Sequence, residues 1–367
     1  MKIVCDKSEL LKSINISLKA VPVRSTIPVL ECILISAGPS GIVFTTNDTE
    51  LGIETYVKGE VLEPGVIAVQ AKMFSEIARK LPMDEVIITS DDNYNITIVS
   101  GKARFAIGGQ SGEDFAYLPQ VERDDSIMLS QFTLRTVIQQ TIFSIAAGDN
   151  NRIMSGEFFE ITDSGLRVIA LDGHRIAIRH IELPGNYPHI TAIVPGKTLT
   201  EVSKIFMGDL DDMVNIYFTN THIMFEIPGT TIVSRLIEGQ YFAVDQMISS
   251  DYATKVRINN RTLVSCVDRA TLFVREGDKK PIILDFDDEH MNISIASPMG
   301  SMNEDVDIAK EGRDLAIGFN PRFLIDALRA ISDEEINMYF TNAKSPCFIR
   351  DDAGTYTYLI LPVNFTR

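Results

Sequence analysis

The segment VIAVQAKMFSEIARK, residues 66–80, decides the fold, because similar segments recur at residues 190–204 and 314–328. The second reads ITAIVPGKTLTEVSK and the third reads DLAIGFNPRFLIDAL. Each begins with alternating apolar residues, which indicate a β-strand, and continues with apolar residues three and four apart, which indicate a helix. The sequence therefore contains one strand–helix unit three times, at intervals of about 123 residues.

The similarity extends on both sides of these segments. Each copy is followed by a strand of one type, at residues 85–89, 214–220 and 336–342. Each is preceded by a second predicted helix, at residues 8–20, 130–147 and 260–274. These patterns predict an α+β fold of three like domains, at residues 1–120, 128–245 and 246–367, each with two helices on antiparallel sheets.

Composition and cysteine spacing limit the class of protein. No stretch is apolar enough to cross a membrane, and the N-terminus has no apolar leader. The cysteines at positions 5, 32, 266 and 347 are far apart, with no histidine at metal-ligand spacing. We expect reduced thiols in a cytoplasmic protein without a metal or other cofactor.

The chain has a net charge of −16, which by itself argues against binding to nucleic acid. The charge is unevenly distributed, however. The six predicted helices carry a net charge of +9, which leaves −25 for the rest of the chain. If these helices share one face, that face is basic on an acidic body. The alternative is that lysine and arginine collect in helices simply because they favour helix formation.

The middle copy has residues that the other copies lack. Asp172 lies 124 positions after Asp48 in a similar context, but only Asp172 is followed by Gly-His-Arg. Asp-Gly between two alternating apolar segments predicts a tight hairpin turn. Turn formation alone does not explain His174 and Arg175, so a binding role is considered for them.

Motifs of enzymes are incomplete in this sequence. Residues 195–198, PGKT, lack the earlier glycine of a phosphate-binding loop, since position 191 is threonine. A hydrolase built on Asp172 and His174 would need an activated nucleophile, and no nucleophile-elbow motif is present. The acidic residues 209–212 and 285–289 do not have calcium-loop spacing. The sequence favours a non-catalytic protein that binds DNA or, alternatively, a scaffold of three like domains that does not.

Short motifs along the whole chain resemble the bacterial DNA polymerase III beta subunit family, the beta sliding clamps. They are MKI at residues 1–3, ELLK at 9–12, RSTIPVL at 24–30, LDGHRIA at 171–177, LIEG at 236–239, NPRFLIDAL at 320–328 and LPV at 361–363. Each is weak alone. Their order and spacing over a threefold repeat make the resemblance specific.

This resemblance implies three clamp domains per chain and a head-to-tail homodimeric ring of six domains around duplex DNA. Family members are non-catalytic processivity factors with no cofactor. They tether the replicative polymerase and other proteins that carry clamp-binding motifs, and a clamp loader opens the ring. The implied location is the bacterial cytoplasm, in association with the nucleoid.

The resemblance also implies three sets of site residues. The partner-peptide groove would be formed by Met154, Leu171, Gly173, His174, Arg175, Ile176, Phe242, Met247, Asn320, Phe323, Pro346, Ile360, Leu361, Pro362 and Val363. The residues that contact DNA would be Arg24, Lys72, Arg79, Lys80, Arg152, Lys197 and Lys204. The dimer interface would include Phe105, Leu272 and Phe273. Phe242, Gln246 and Met247 replace a more usual Pro, Arg and Val, and residues 364–367 extend the tail, so the partner preference stays open.

Overall fold

The computed structural model describes residues 1–123, 126–148, 151–275 and 280–365. The α-helices are α1 (Lys7–Ser17), α2 (Ala71–Lys80), α3 (Gln131–Gln139), α4 (Gly196–Ile205), α5 (Asn260–Thr271) and α6 (Pro321–Ala330). The first twelve strands are β1 (Lys2–Asp6), β2 (Cys32–Gly38), β3 (Gly41–Asn47), β4 (Leu51–Val57), β5 (Gly59–Glu63), β6 (Gly65–Gln70), β7 (Glu85–Ser90), β8 (Asn95–Ser100), β9 (Ala103–Gln110), β10 (Ile127–Ser130), β11 (Gly156–Leu171) and β12 (Arg175–Pro195). The remaining strands are β13 (Met213–Phe218), β14 (His222–Ile227), β15 (Thr230–Arg235), β16 (Thr254–Asn259), β17 (Ile282–Phe286), β18 (His290–Ser297), β19 (Gly300–Asp307), β20 (Ala309–Gly312), β21 (Leu315–Phe319), β22 (Glu335–Phe340), β23 (Cys347–Arg350) and β24 (Tyr356–Ile360).

The predicted strand–helix unit is present in all three copies, as β6–α2, β12–α4 and β21–α6. In α2, Phe74, Ile77 and Ala78 are buried, while the basic residues of this helix face outward. In α6 the buried positions Leu324, Ile325 and Leu328 have a similar spacing. The three-to-four-residue spacing of apolar residues thus gives each helix one buried face, as expected for an amphipathic helix on a sheet.

Two of these helices begin with a side-chain cap of the same kind. The Gln70 side chain accepts a hydrogen bond from the backbone N of Met73, at 2.6 Å, in front of α2. The Asn320 side chain accepts one from the backbone N of Arg322, at 3.0 Å, in front of α6. Such caps satisfy N–H groups that the first turn of a helix leaves unpaired, and so they fix where the helix begins.

The third helix is shorter than the sequence indicated. We predicted a helix over residues 130–147, but α3 ends at Gln139. The Thr141 hydroxyl donates to the backbone carbonyls of Val137 and Ile138, and a short 3₁₀ helix, Ile142–Ser144, comes next. A hydroxyl that bonds back to the preceding turn competes with regular helix continuation, which apolar periodicity does not reveal.

The described residues form two compact units. Unit 1 comprises Met1–Gln131 and Lys204–Leu236. Its thirteen strands form an antiparallel sheet in the order β10-β13-β14-β15-β4-β3-β2-β6-β9-β8-β7-β1-β5. Helices α1 and α2 pack against each other, and α1 also packs on β4. The main core of unit 1 lies between these helices and the sheet, with Phe44 and Phe74 in edge-to-face contact at its centre.

Unit 2 comprises Phe132–Ser203 and Ile237–Arg367. It contains a seven-stranded sheet, β11-β12-β24-β23-β22-β16-β20, and a four-stranded sheet, β19-β18-β17-β21. Helices α5 and α6 pack against each other over a core to which both sheets contribute. The long hairpin β11–β12 joins the larger sheet through pairing of Arg175–Arg179 with Tyr356–Ile360. This pairing places the turn after Leu171 beside the C-terminal strand.

All four cysteines are free and buried. Burial, followed in effect by the charge of Asp6, raises the pKa of the Cys5 thiol to about 12. A thiol that is buried and protonated is a poor nucleophile and a poor metal ligand. These side chains therefore act as small apolar core residues.

Candidate partner-binding groove and DNA-facing residues

The turn between β11 and β12 has the geometry that Asp-Gly predicted. One carboxylate oxygen of Asp172 accepts hydrogen bonds from the backbone N of His174, at 2.9 Å, and of Arg175, at 3.1 Å. Gly173 has φ +86°, in the left-handed region that favours glycine. The turn thus presents His174 at the surface while directing Arg175 back toward the protein.

Arg175 is a structural brace with many partners. Its guanidinium donates to Asp172, at 3.0 Å, to Asp326 of α6, at 2.7 Å, and to the backbone carbonyl of Phe143. The guanidinium carbon also lies 4.7 Å from the centre of the Phe323 ring and 5.2 Å from that of Phe143. Since only 10% of its side chain is exposed, Arg175 fixes the turn to α6 and leaves little surface for a ligand.

His174 and Phe323 lie side by side at the surface. Their ring centres are 5.5 Å apart, with the planes tilted by 41°. His174 is exposed and Phe323 is half-buried. Asn320 precedes Phe323 by three residues and caps α6. Of the expected groove residues, His174 and Phe323 are therefore in contact, and Asn320 caps the helix that carries Phe323.

Next to this turn lies an apolar cluster that includes four of the expected groove residues. Its buried members are Ile169, Leu171, Ile176, Ile178, Val244, Tyr339, Phe348 and Leu359, and its half-buried edge consists of Met154, Phe158, Tyr241, Phe242 and Ile248. Of the residues inferred from the sequence, Leu171 and Ile176 form its floor, and Met154 and Phe242 lie at its edge. A buried apolar floor with a half-exposed apolar edge is a surface suited to apolar side chains of a partner.

The aromatic residues Phe158 and Tyr241 at the edge were not predicted. Phe158 stacks on Tyr241, with ring centres 4.9 Å apart, and the Tyr241 hydroxyl donates to the Ile169 carbonyl at 3.3 Å. Phe242 meets the same tyrosine edge-on at 5.7 Å. The available signal was the aromatic pair at positions 241–242 soon after Gly239, in a stretch without regular periodicity.

An ion pair holds the segment that carries Met247. Arg167 on β11 contacts Glu160, at 3.3 Å, and Asp245, at 2.5 Å. The hydrogen bond from Arg167 lowers the pKa of the Asp245 carboxyl. Burial and then the positive charge of Arg167 lower the pKa of the neighbouring His180. Asp245 lies in the short helix Val244–Met247, so the ion pair attaches this helix to β11, while the Met247 side chain stays 48% exposed.

The C-terminal segment runs along the opposite side of the turn. The backbone N of Leu361 donates to the His174 carbonyl at 2.8 Å, and that of Val363 donates to the Gly318 carbonyl at 2.8 Å. Leu361 is exposed, whereas Ile360 is fully buried in the larger core of unit 2. Leu361 therefore offers an apolar surface beside His174, and Ile360 supports it from below.

The other expected groove residues near the tail are only partly exposed. Pro362 and Val363 are half-buried, as is Pro346 in the loop that precedes β23. Phe365 approaches Gly318, where an added Cβ would lie 2.9 Å from the Phe365 ring. Residues 366 and 367 of the extended tail lie outside the described residues.

The residues expected to contact DNA lie on or beside the helices. Lys72, Arg79 and Lys80 lie on α2, on the side opposite its buried residues. Arg24 lies in the loop that follows α1 and its 3₁₀ extension. Lys197 and Lys204 are two turns apart on α4, and Arg152 precedes the short helix Ile153–Ser155. Each observed helix has a net charge of +1 or +2, so the basic character of the helices holds for their observed bounds.

The residues expected at a dimer interface lie near two strand edges. Phe105 is on β9, which pairs with β8 along its length but with β6 only at Gly109 and Gln110, so residues 103–107 have one open side within the described sheet. Leu272 follows α5 and is 70% exposed. Phe273 lies near Gly300 of β19, the edge strand of the four-stranded sheet.

No helix among the described residues has both the length and the apolar composition of a membrane span.

Three family patterns match the chain. They are the N-terminal domain of the DNA polymerase III beta subunit at residues 1–119, its central domain at residues 128–242 and its C-terminal domain at residues 245–364.

Curated proteins and solved structures are similar over the full length. The beta sliding clamp of Bacillus subtilis is 34% identical, and that of Staphylococcus epidermidis is 32% identical, with 99% of both chains covered in each case. The structure of the DNA polymerase sliding clamp from Bacillus subtilis has a TM-score of 0.94 at 35% identity, with both chains covered completely. A structure from Eubacterium rectale, whose name is that of a DNA polymerase III beta subunit, has a TM-score of 0.96 at 58% identity, again with complete coverage of both chains.

Proposed function

Since the chain belongs to the family of DNA polymerase III beta subunits and functions as a sliding clamp, a non-catalytic processivity factor in DNA replication, we propose that it works as a homodimeric ring around duplex DNA. DNA and the replicative polymerase are its general partners. The proposed details are the ring, the residues of its three surfaces, the other client proteins, the clamp loader and the cytoplasmic, nucleoid-associated location. The division into domains at residues 1–120, 128–245 and 246–367 belongs to the same proposal.

The distribution of charge carries the proposal for DNA. The six observed helices sum to +7, while the whole chain is −16, so the remaining residues carry −23. A ring lined by these helices would present a moderately basic surface to phosphates. Contacts with phosphates carry no sequence information, so such a ring would slide. Encirclement itself would prevent dissociation, and tight binding would not be needed.

The two strand edges support head-to-tail assembly. The open edge of β9 carries Lys102 and Arg104 on or beside the strand, and β19 carries Glu304, Asp305 and Asp307. Pairing of β9 of one protomer with β19 of its partner would satisfy backbone groups that an edge leaves free, and it would bring opposite charges together. Such a contact joins different surfaces, and it closes only when the rotation between protomers completes a ring.

The apolar cluster beside His174 supports a peptide groove. Phe323 and Leu361 add apolar surface beside His174, and Met154 contributes a flexible side chain at the edge of the cluster. Met247 is 48% exposed and directly precedes Ile248, another residue of that edge. Methionine side chains adapt to different partners, which suits a surface shared by several clients. We propose that short linear segments of the polymerase and other clients bind here.

Topological linkage to DNA is the property that tests the ring. The protein is loaded on nicked circular DNA by a cognate loader with ATP, and retention is compared before and after the circle is cut once. We expect retention on the circle at moderate salt and loss after linearisation, because a ring slides off a free end. Equal retention on both forms would indicate ordinary surface binding and would exclude encirclement.

A charge-reversal variant tests, in the same assay, whether α2 lies on the inner, DNA-facing surface of the proposed ring. Lys72→Glu, Arg79→Glu and Lys80→Glu together replace three positive charges of α2. We expect the variant to remain a dimer but to load less efficiently, and its loading should fall less steeply as salt rises, because fewer phosphates are neutralised. The matched control reverses Lys58, Arg313 and Lys344, which are exposed and lie outside the helices and outside the two strand edges. An equal loss in the control would remove α2 from the DNA-facing surface.

A further inference from the structure

Residues 241–250, which we call the strap, form one wall of the apolar cluster that supports the proposed groove. Val244 is buried in this cluster, and Tyr241, Phe242 and Ile248 are half-buried at its edge. Within the described part of the chain, the strap belongs to no strand of a sheet. Contacts of individual side chains, and not a ladder of backbone hydrogen bonds, therefore decide how closely the strap lies on the sheet.

Three polar side-chain contacts attach the strap to the sheet. Near its start, the Tyr241 hydroxyl donates to the Ile169 carbonyl at 3.3 Å. At its end, the Arg350 guanidinium donates to the backbone carbonyls of Ser249 and Ser250, at 3.1 and 3.2 Å. The third contact lies between these two and is an ion pair.

Arg167 makes this middle contact from the floor of the cluster. Arg167, Ile169 and Leu171 alternate along the regular part of β11, so their side chains share one face of the sheet. Ile169 and Leu171 are buried in the cluster. The guanidinium therefore continues the apolar floor with a positive charge, and it reaches Asp245 of the strap at 2.5 Å.

The two partners of this ion pair differ in burial. The Arg167 side chain is only 17% exposed, whereas that of Asp245 is 79% exposed. The same guanidinium also contacts Glu160 of β11 at 3.3 Å, so Arg167 keeps a carboxylate partner when Asp245 moves away. Arg167 is thus fixed on the sheet, and Asp245 can attach to it or be released without leaving a buried charge unpaired.

The first copy of the repeat has an ion pair at a similar place, with reversed polarity. Tyr217 and Tyr339 occupy the same position in the repeated strands β13 and β22, and Val121 packs in the cluster of Tyr217 as the strap does in that of Tyr339. Arg123, two residues after Val121, pairs with Glu226 of β14 at 2.9 Å. Both copies therefore attach the segment over the sheet by a charge pair, although the residues differ.

We propose that Arg167 is a positioning residue for client binding: through Asp245 it holds the strap on the sheet, and so keeps Phe242 and Met247 in place at the edge of the peptide groove. This role rests on the proposed groove. Phe242 is half-buried and Met247 is exposed, and they lie on either side of Asp245 in the strap. With Asp245 released, a client segment has to order the strap as well as itself, which lowers its affinity.

Two measurements on the full-length protein test the two parts of this role. One is the Kd of a fluorescent peptide from the cognate replicative polymerase, and the other is amide hydrogen exchange of residues 241–248 in the free protein. Asp245→Asn keeps the size of the side chain and removes its charge. We expect the Kd to rise about fivefold, as for one partly exposed ion pair, and exchange of the strap to accelerate by a similar factor. At about 0.5 M salt this difference from the wild type should shrink, because the ion pair is screened.

A double-mutant cycle tests whether the two residues act through each other. Arg167→Gln should also raise the Kd and accelerate exchange of the strap. Adding Asp245→Asn to Arg167→Gln should then change the Kd by less than about twofold, because the ion pair is already absent. A further rise of about fivefold in the double variant would show that the residues act independently, and it would overturn the positioning role.

The matched control is Glu182→Gln, which removes an exposed carboxylate from β12, outside the strap. It should leave the Kd and the exchange rates at wild-type values, and an equal effect of the control would assign the change to net charge and exclude the ion pair. A higher Kd of Asp245→Asn without faster exchange in the free protein would indicate direct contact with the peptide and would also overturn the role. Failure of the wild type to bind the peptide would instead reject the proposed groove, while the exchange rates would still decide whether the ion pair holds the strap.

Discussion

Two turns, one in each unit, have the same hydrogen-bonded form and different surroundings. In unit 1 a carboxylate oxygen of Asp48 accepts from the backbone N of Glu50 and Leu51, at 3.0 and 2.7 Å. In unit 2 Asp172 accepts in the same way from the second and third residues after it. The residue after each aspartate has a positive φ, +79° for Thr49 and +86° for Gly173. The repeated scaffold therefore preserves the turn even where the sequence differs.

The residues after each turn decide whether the neighbouring sheet is covered. After the Asp48 turn Leu51 is buried, and Leu118 packs so closely on Gly52 that an added Cβ would collide with it. Leu118 lies against a cluster of Val121, Tyr217, Met224 and Val233. After the Asp172 turn the position that corresponds to Leu51 is Arg175, and the apolar edge around Phe242 stays half-exposed. The same turn and strands therefore support a covered surface in unit 1 and a half-exposed apolar surface in unit 2, and a few side chains make the difference.

The largest expected effect comes from removing Arg175, which braces the half-exposed apolar region beside the Asp172 turn in unit 2 (the open region). Arg175→Ala leaves Asp172, Asp326 and the Phe143 carbonyl without their partner, which should lower the free energy of unfolding by about 3 kcal/mol and abolish peptide binding. Urea unfolding and fluorescence polarisation measure the two effects. Arg179→Ala on the same strand is the matched control, since Arg179 donates a side-chain hydrogen bond to Thr355 and its loss should cost about 1 kcal/mol. Equal losses in the two variants would contradict the role of Arg175.

A smaller effect is expected from truncating Leu118, which covers the sheet beside the Asp48 turn in unit 1. Leu118→Ala removes part of an apolar side chain that is half-buried, which should cost about 1–2 kcal/mol in the free energy of unfolding. Peptide affinity should be unchanged, because the open region in unit 2 is intact. Urea unfolding and the same peptide titration test this. A loss of peptide affinity as large as that of Arg175→Ala would show that the two regions are not independent.

The smallest effect is expected from changing the turn residues themselves. Asp48→Asn should cost about 0.5 kcal/mol or less, because an amide oxygen still accepts both backbone hydrogen bonds. Asp172→Asn should cost about 1 kcal/mol, since Arg175 also loses a carboxylate partner at 3.0 Å. Thermal unfolding of both variants at one pH gives the difference. A larger cost for Asp48→Asn would reverse this order and reject the explanation.

The repeated strand–helix units could be predicted because their signals are local. The apolar spacing of Phe74, Ile77 and Ala78 is legible within a few residues, and Asp-Gly at 172–173 specifies its own turn. The early end of α3 could not be predicted, since it depends on the direction in which one threonine hydroxyl points.

The candidate site was only partly predictable for a similar reason. Leu171 and Ile176 were placed through the resemblance, and they lie in one cluster with Met154 and Phe242. The brace formed by Arg175 depends on Asp326, which is 151 positions away, and no local pattern contains that contact.

The charges on the two strand edges also bear on solubility. An edge with free backbone groups is a template on which other chains can aggregate, and charged side chains along it are a common protection. Two β9 edges would repel each other through Lys102 and Arg104, and two β19 edges through Asp305 and Asp307. Only the unlike pair attracts. The same few charges that would order the protomers head to tail would therefore also disfavour contacts of an unassembled chain with a copy of itself through like edges.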